Sequence, residues 1–154
     1  MCGIPGVGKS TWLKNNKNFF TDIDSIDVIS RDKIRFALLD EGEDYFSKED
    51  DVWKNYVKEA KRSLKENYIT ILDATHLSIA SRKKILKALG DLSNIDVYAV
   101  VCVANLETAL KRNREREGLA FVPPSAIRRM YFQFVKPTKE EGFKEIYYID
   151  LEDK

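Results

Sequence analysis

Residues 3–11 read Gly3-Ile4-Pro5-Gly6-Val7-Gly8-Lys9-Ser10-Thr11. Gly3, Gly8, Lys9 and Ser10 meet every fixed position of the phosphate-loop pattern G-x-x-x-x-G-K-[ST]. Each position has a physical reason. Glycine lets backbone N–H groups converge on phosphate oxygens with no Cβ in the way. A helix opening near Lys9 turns its positive end toward the same anion. Lys9 reaches the outer phosphates, and the Ser10 hydroxyl suits Mg²⁺. A loop of this kind follows a β-strand, yet only Met1 and Cys2 precede it here. Strands run to about five or six residues. The spacing therefore predicts a first strand that is missing or very short, with several more apolar residues ahead of Met1 in the natural chain.

Outward from the loop, helical and strand-like segments alternate. The loop continues into a helix over 9–16. "IDVIS" at 26–30 and "YITILD" at 68–73 are short apolar strands, each followed by a helix. Ser47 with Asp50 resembles a capping box that opens a helix running to about Asn67. Its apolar positions, Val52, Trp53, Tyr56, Val57, Ala60 and Leu64, recur every three or four residues. Ser78 caps a helix that ends at Gly90. "DVYAVVCVA" at 96–104 is the most apolar strand, and Asn105 caps the helix after it. Pro124 suits the first turn of another helix. "EIYYIDL" at 145–151 is the last strand. Four strands joined by helices predict right-handed βαβ units and a mainly parallel α/β sheet. Residues 1–154 read as one domain.

In an open α/β sheet, chemistry gathers at the carboxyl ends of the strands. Asp32 lies just past the first of these strands and Asp73 ends the second. A hydroxyl acceptor needs a carboxylate to orient it or take its proton, and Mg²⁺ needs oxygen ligands, often through water. Asp32 serves equally well as a helix N-cap, and Asp73 as part of a strand-ending turn. Asp22, Asp24 and Asp27 belong at the opposite edge. Arg35 is one helical turn beyond Asp32, so the pair can address a hydroxyl and a neighbouring phosphate together. "KRNREREG" at 111–118 reads either as a solvated helix face or as a lid whose arginines close over phosphates. Arg128 and Arg129 extend that basic region. Phe121, Tyr131, Phe132 and Phe134 can line an acceptor groove or stack bases, with core packing the expected use of most of them.

Composition narrows the classes. The chain has 154 residues, 44% hydrophobic and 33% charged, with a formal net charge of +1. Nothing in that balance marks a polyanion-binding surface. Cys2 and Cys102 are too few for a disulfide scaffold and suit reduced thiols in the cytoplasm. No stretch approaches the roughly 18 apolar residues of a membrane span. His76, the only histidine, is placed to line a pocket or make a local hydrogen bond, and no zinc signature accompanies it. The absence of an N-K-x-D guanine-reading motif disfavours a GTPase. A motor ATPase needs coupling machinery that this length hardly holds.

The ordered set "GIPGVGKST", "SRDKIR" (30–35), "DATHLSIASR" (73–82) and "KRNRER" (111–116) through Val122-Pro123, "IRRMYFQF" and "EGFKEI" (141–146) resembles the P-loop kinase module of polynucleotide 5′-hydroxyl kinases. Both the phage type and the kinase domain of eukaryotic end-repair enzymes share it, as do small stand-alone P-loop kinases. The resemblance implies a three-layer, adenylate-kinase-like P-loop NTPase fold with a helical lid around 111–122. It implies transfer of the γ-phosphate of ATP, with Mg²⁺, to a hydroxyl, first of all a nucleic acid 5′ end. By the same resemblance Lys9, Asp32, Arg35 and Arg116 are catalytic, with Asp32 as general base and Arg35 on the acceptor's phosphate. Residues 3–11 with Arg112 and Arg116 hold the nucleotide. Asp73 and Arg82 join Asp32 and Arg35 on the acceptor side. Ser10 holds the metal, with Asp32 or Asp73 reaching it through water. His76 departs from the family, which usually has Asn there. No phosphatase or ligase segment is present. A nucleoside, small metabolite or charged RNA as acceptor, and a switch or ATPase that transfers to water, are the competing readings.

Overall fold

Apolar alternation and helix caps set the element order in a computed structural model that describes residues 1–20, 25–66 and 68–152. Asp22, Asp24 and Asn67 lie outside the described residues. The chain forms two compact units, residues 15–74 and residues 1–14 with 75–154.

In the unit of residues 15–74, β1 (Ile26–Ser30) pairs in parallel with β2 (Ile69–Asp73), with Ser30 opposite Asp73. The helix α2 (Arg31–Leu38) leaves β1 directly, with the Ser30 side chain accepting from the Lys33 N–H at its start. Ser30 is therefore the cap, and Asp32 lies inside the first turn with its carboxylate spared. The long helix α3 (Glu49–Lys65) buries Val52, Tyr56, Ala60 and Ser63 along one stripe, the spacing of an amphipathic helix. Its start corrects one expectation. The N-cap is Lys48 with no side-chain cap bond, because the Ser47 hydroxyl donates back to the Asp44 carbonyl.

In the other unit, β3 (Tyr98–Val103) pairs in parallel with β4 (Glu145–Asp150). The phosphate-loop segment leads into α1 (Lys9–Asn15). Ahead of the loop, strand pairing is a single parallel bridge from Cys2 to Val101. The Cys2 N–H donates to Val100 O at 2.8 Å, and the Cys102 N–H to Cys2 O at 2.9 Å. On its other side, the Gly3 N–H donates to Thr75 O at 3.0 Å. Two short clasps thus anchor the loop, in keeping with a first strand expected to be missing or very short. Met1 through Val7 are buried, and both cysteines are buried thiols.

The helix α4 (Ile79–Leu89) carries a reciprocal Ser78–Ser81 capping box and ends at Gly90. The helix α5 (Leu106–Arg114) is capped by Asn105, and α6 (Pro124–Gln133) opens on proline. The proposed lid is less helical than expected. After Arg114 only a 3-10 turn at Gly118–Ala120 remains. Asn113 closes the base of this loop: its side chain donates to Val122 O at 2.7 Å and accepts from Val122 N at 3.0 Å. The expectation of buried aromatics in this region is corrected too. Phe121 and Tyr131 are exposed and Phe132 is 80% exposed, because α6 packs through Ala126 and Ile127 instead.

Candidate active site

Two sets of predicted residues come together, one in each unit. The first is the phosphate loop. Gly3, Gly6 and Gly8 all have positive φ. At Gly6, with φ +87°, a Cβ would lie 2.3 Å from the Ala109 carbonyl oxygen, so the loop rests directly on the α5 backbone. At Gly3 a Cβ would lie 2.7 Å from the Cys102 carbonyl oxygen. Only glycine fits either place. The Lys9 ammonium donates to Gly3 O at 2.8 Å and Ile4 O at 3.1 Å, which holds it over the loop. Ser10 and Thr11 follow, both exposed, in the first turn of α1.

The two lid arginines take different places. Arg112 Nη1 donates to Val7 O at 2.9 Å and Nη2 to Leu151 O at 2.6 Å, tying the loop to the end of β4. Arg116 lies beyond α5, and its guanidinium makes a weak 3.3 Å bond to Ala120 O within the 114–121 loop.

Arg82 is turned inward. It is 2% exposed. Its Nε and Nη2 donate to the two oxygens of Glu141 at 2.7 and 2.9 Å. Its Nη1 donates to His76 O and Val135 O, both at 2.9 Å. Four of its five donors are therefore engaged by this unit itself. Glu141 was not singled out in the sequence. The signal was available as Thr138-x-x-Glu141, which forms a capping box around a 3-10 turn.

The second set is on the carboxyl edge of the β1–β2 pair. Asp73, 7% exposed, ends β2 opposite Ser30, and Asp32 is two residues past Ser30. Arg35 Nη1 donates to Asp32 Oδ1 at 2.6 Å and meets the Tyr45 hydroxyl at 3.0 Å. The Tyr45 hydroxyl donates to the same Asp32 oxygen at 2.9 Å. Behind Arg35, Glu49 accepts from Nε at 2.9 Å and from Nη2. Its other oxygen accepts from Arg31 at 2.8 Å. The Arg35 guanidinium also stacks over the Tyr45 ring at 4.4 Å, a cation–π contact.

Burial alone would weaken the charge on Arg35, but the Glu49 bond and the fields of Tyr45, Glu49 and Asp32 outweigh it and raise its pKa. Burial, then the negative charge of Asp32, pushes the Tyr45 hydroxyl up to about 12, against the pull of Arg35. Tyr45 is therefore a proton donor to Asp32 throughout the neutral range. Tyr45 and Glu49 were missed in the sequence. They sit in a polar loop and at a helix start, where a charge reads as a solvated side chain.

Among the described residues no group of three or more His, Cys, Asp or Glu side chains could hold a metal ion. The donors near the loop are oxygens led by the Ser10 hydroxyl, which fits Mg²⁺ shared with phosphate and water better than a resident transition metal. Among the described residues no helix is long and apolar enough to cross a membrane.

The fold is that of P-loop NTPases. The crystal structure of Chaetomium thermophilum Kti12 in complex with ADP-AlF3 superposes with a TM-score of 0.69 at 17% identity, covering 97% of this chain and 86% of that one. In sequence, the chain is similar to a protein of Autographa californica nuclear polyhedrosis virus that is assigned, by name only, as a bifunctional polynucleotide kinase/RNA ligase. The two are 26% identical over 168 aligned residues, which is all of this chain and 22% of the relative's length. A family model described as AAA domain matches residues 1–137, and the protein belongs to that AAA-domain family.

Proposed function

We propose that the protein is a P-loop kinase that moves the γ-phosphate of ATP to a hydroxyl, with a nucleic acid 5′ end as acceptor. The observation that carries this reading is the carboxylate of Asp32, held outward by Arg35 and Tyr45 at the strand edge where acceptors bind in α/β folds. The phosphate loop supplies the donor side. Lys9 is close enough to exchange its two carbonyl partners for phosphate oxygens. Mg²⁺, when bound through Ser10, neutralises charge on the phosphates.

Asp32 accepts the proton of the acceptor hydroxyl, and Tyr45 and Arg35 orient its carboxylate for that task. Arg35, one turn beyond Asp32, takes an anion beside that hydroxyl, as a nucleotide phosphate would be, by exchanging its Nη1 bond to the Tyr45 hydroxyl for it. Arg116 is the lid arginine in this reading, since its guanidinium bond to Ala120 O is weak and easily given up on closure. The name of the viral relative favours the same acceptor. A small metabolite, nucleoside or charged RNA is the second reading, favoured by the net charge of +1.

The test offers ATP and Mg²⁺ with 5′-hydroxyl oligonucleotides, nucleosides and small alcohols. Phosphate should appear on the oligonucleotide, and oligonucleotide affinity should fall steeply with salt. Transfer to small acceptors alone, or to water alone, contradicts the proposal.

A further inference from the structure

We infer that His76 is a positioning residue for the phosphate loop, and that the buried Arg82–Glu141 pair acts on the loop through it. Among the described residues His76 is the only non-glycine with positive φ, at +46°. L residues rarely adopt that conformation; Asn, Asp and His tolerate it best. It persists only where the surroundings over-determine it.

Two bonds do so. The His76 carbonyl accepts from Arg82 Nη1 at 2.9 Å. The His76 ring Nδ1 lies 2.6 Å from Met1 O. A carbonyl only accepts, so Nδ1 carries the proton and donates. One residue earlier, Thr75 O accepts the Gly3 N–H. The left-handed turn therefore aims a carbonyl and a ring N–H at Met1 and Gly3, the residues that lead into the loop. A line of contacts runs from Glu141 through Arg82 and His76 to the loop entrance. The start of α4 does not need this turn, because Ser78 and Ser81 cap that helix by themselves.

A phosphate loop works by holding its N–H groups fixed before the anion arrives. The inference thus rests on the nucleotide-binding reading and adds to it what fixes the loop. It also states which side chains can do so. Asn shares with His both the tolerance of positive φ and a side-chain N–H donor. Glycine keeps only the first, and alanine neither.

The test measures ADP–Mg²⁺ affinity by calorimetry, with the melting temperature of the nucleotide-free protein, for wild type, His76→Asn, His76→Gly and His76→Ala. Asn should stay within about twofold of wild type. Gly should bind about fivefold more weakly, the loss of one hydrogen bond. Ala should bind about tenfold more weakly or worse, and the loss should appear in KM for ATP more than in kcat. Wild-type affinity in Gly and Ala with only a lowered melting temperature overturns the inference, as does an Asn variant as weak as Ala. If Ala does not fold, the Asn–Gly difference decides. A wild type that binds no ADP overturns the nucleotide-binding reading itself, and this inference with it.

Discussion

Arg35 and Asp32 are ion-paired at 2.6 Å one turn apart on α2, yet the side chain of the arginine is 6% exposed and that of the acid 52%. The cation is fixed by the fold and the carboxylate is presented to solvent. A pair formed for stability alone would gain nothing from leaving the acid outside. The asymmetry suits the role proposed for Asp32 toward an acceptor hydroxyl.

Glu49 is what keeps Arg35 in place. Glu49→Gln leaves a buried guanidinium short of one of its charged partners, with Asp32 remaining. Stability should fall by about 1–3 kcal/mol, measured by urea denaturation. Transfer to the acceptor should fall while ADP affinity stays at the wild-type value.

Tyr45→Phe removes the hydroxyl between Asp32 and Arg35. Acceptor turnover should drop several-fold, with the nucleotide affinity unchanged. The raised pKa of Tyr45, about 12 against an ordinary 10.0, also makes a stability prediction. The folded state holds this proton more tightly than the unfolded chain. The contribution is therefore complete below pH 10 and is lost as pH rises from there through about 12. The stability difference between wild type and Tyr45→Phe, followed by denaturation across that window, should shrink.

The Arg82–Glu141 pair should be expensive to break. Arg82→Ala or Glu141→Ala leaves one buried charge alone and should cost about 3–5 kcal/mol. The Arg82 bond holds the Glu141 carboxyl below its usual range, against the effect of burial. Its contribution is present above the ordinary value of 4.5 and is lost as pH falls through the lowered one. Acid unfolding of Glu141→Gln should therefore be less steep below pH 4.5 than that of wild type.

Gly6→Ala places a Cβ 2.3 Å from the Ala109 carbonyl oxygen, where backbone must move. It should lower the melting temperature and abolish ADP binding. Gly42→Ala, which also has positive φ but nothing within 4 Å, isolates the conformational cost. It should affect stability only modestly and leave ADP binding intact.

The phosphate loop, the four predicted strands, the caps at Ser78 and Asn105 and the first-turn Pro124 of α6 were legible because local chemistry decides them. Period, cap geometry and the special needs of glycine leave marks on neighbouring residues. What the sequence hid is tertiary. Arg82 and Arg35 look alike in sequence, each a basic residue near an acidic motif. Only the fold reveals that Glu141, 59 positions away, takes up Arg82, while Glu49 takes one edge of Arg35 and leaves the other on Asp32. Arg112 likewise reads as a phosphate-binding arginine, and its bonds to Val7 and Leu151 depend on residues 105 and 39 positions distant. The aromatic run at 131–134 looked like core because hydrophobicity does not reveal which face of α6 meets a partner.

The most direct test of the central claim compares wild type with Asp32→Asn for phosphate transfer from ATP–Mg²⁺ to a 5′-hydroxyl oligonucleotide, with ADP affinity measured alongside. Wild type should transfer phosphate, the variant should be about 10²–10⁴-fold slower, and ADP affinity should be the same in both. An Asp32→Asn protein that transfers phosphate at the wild-type rate would contradict the central claim.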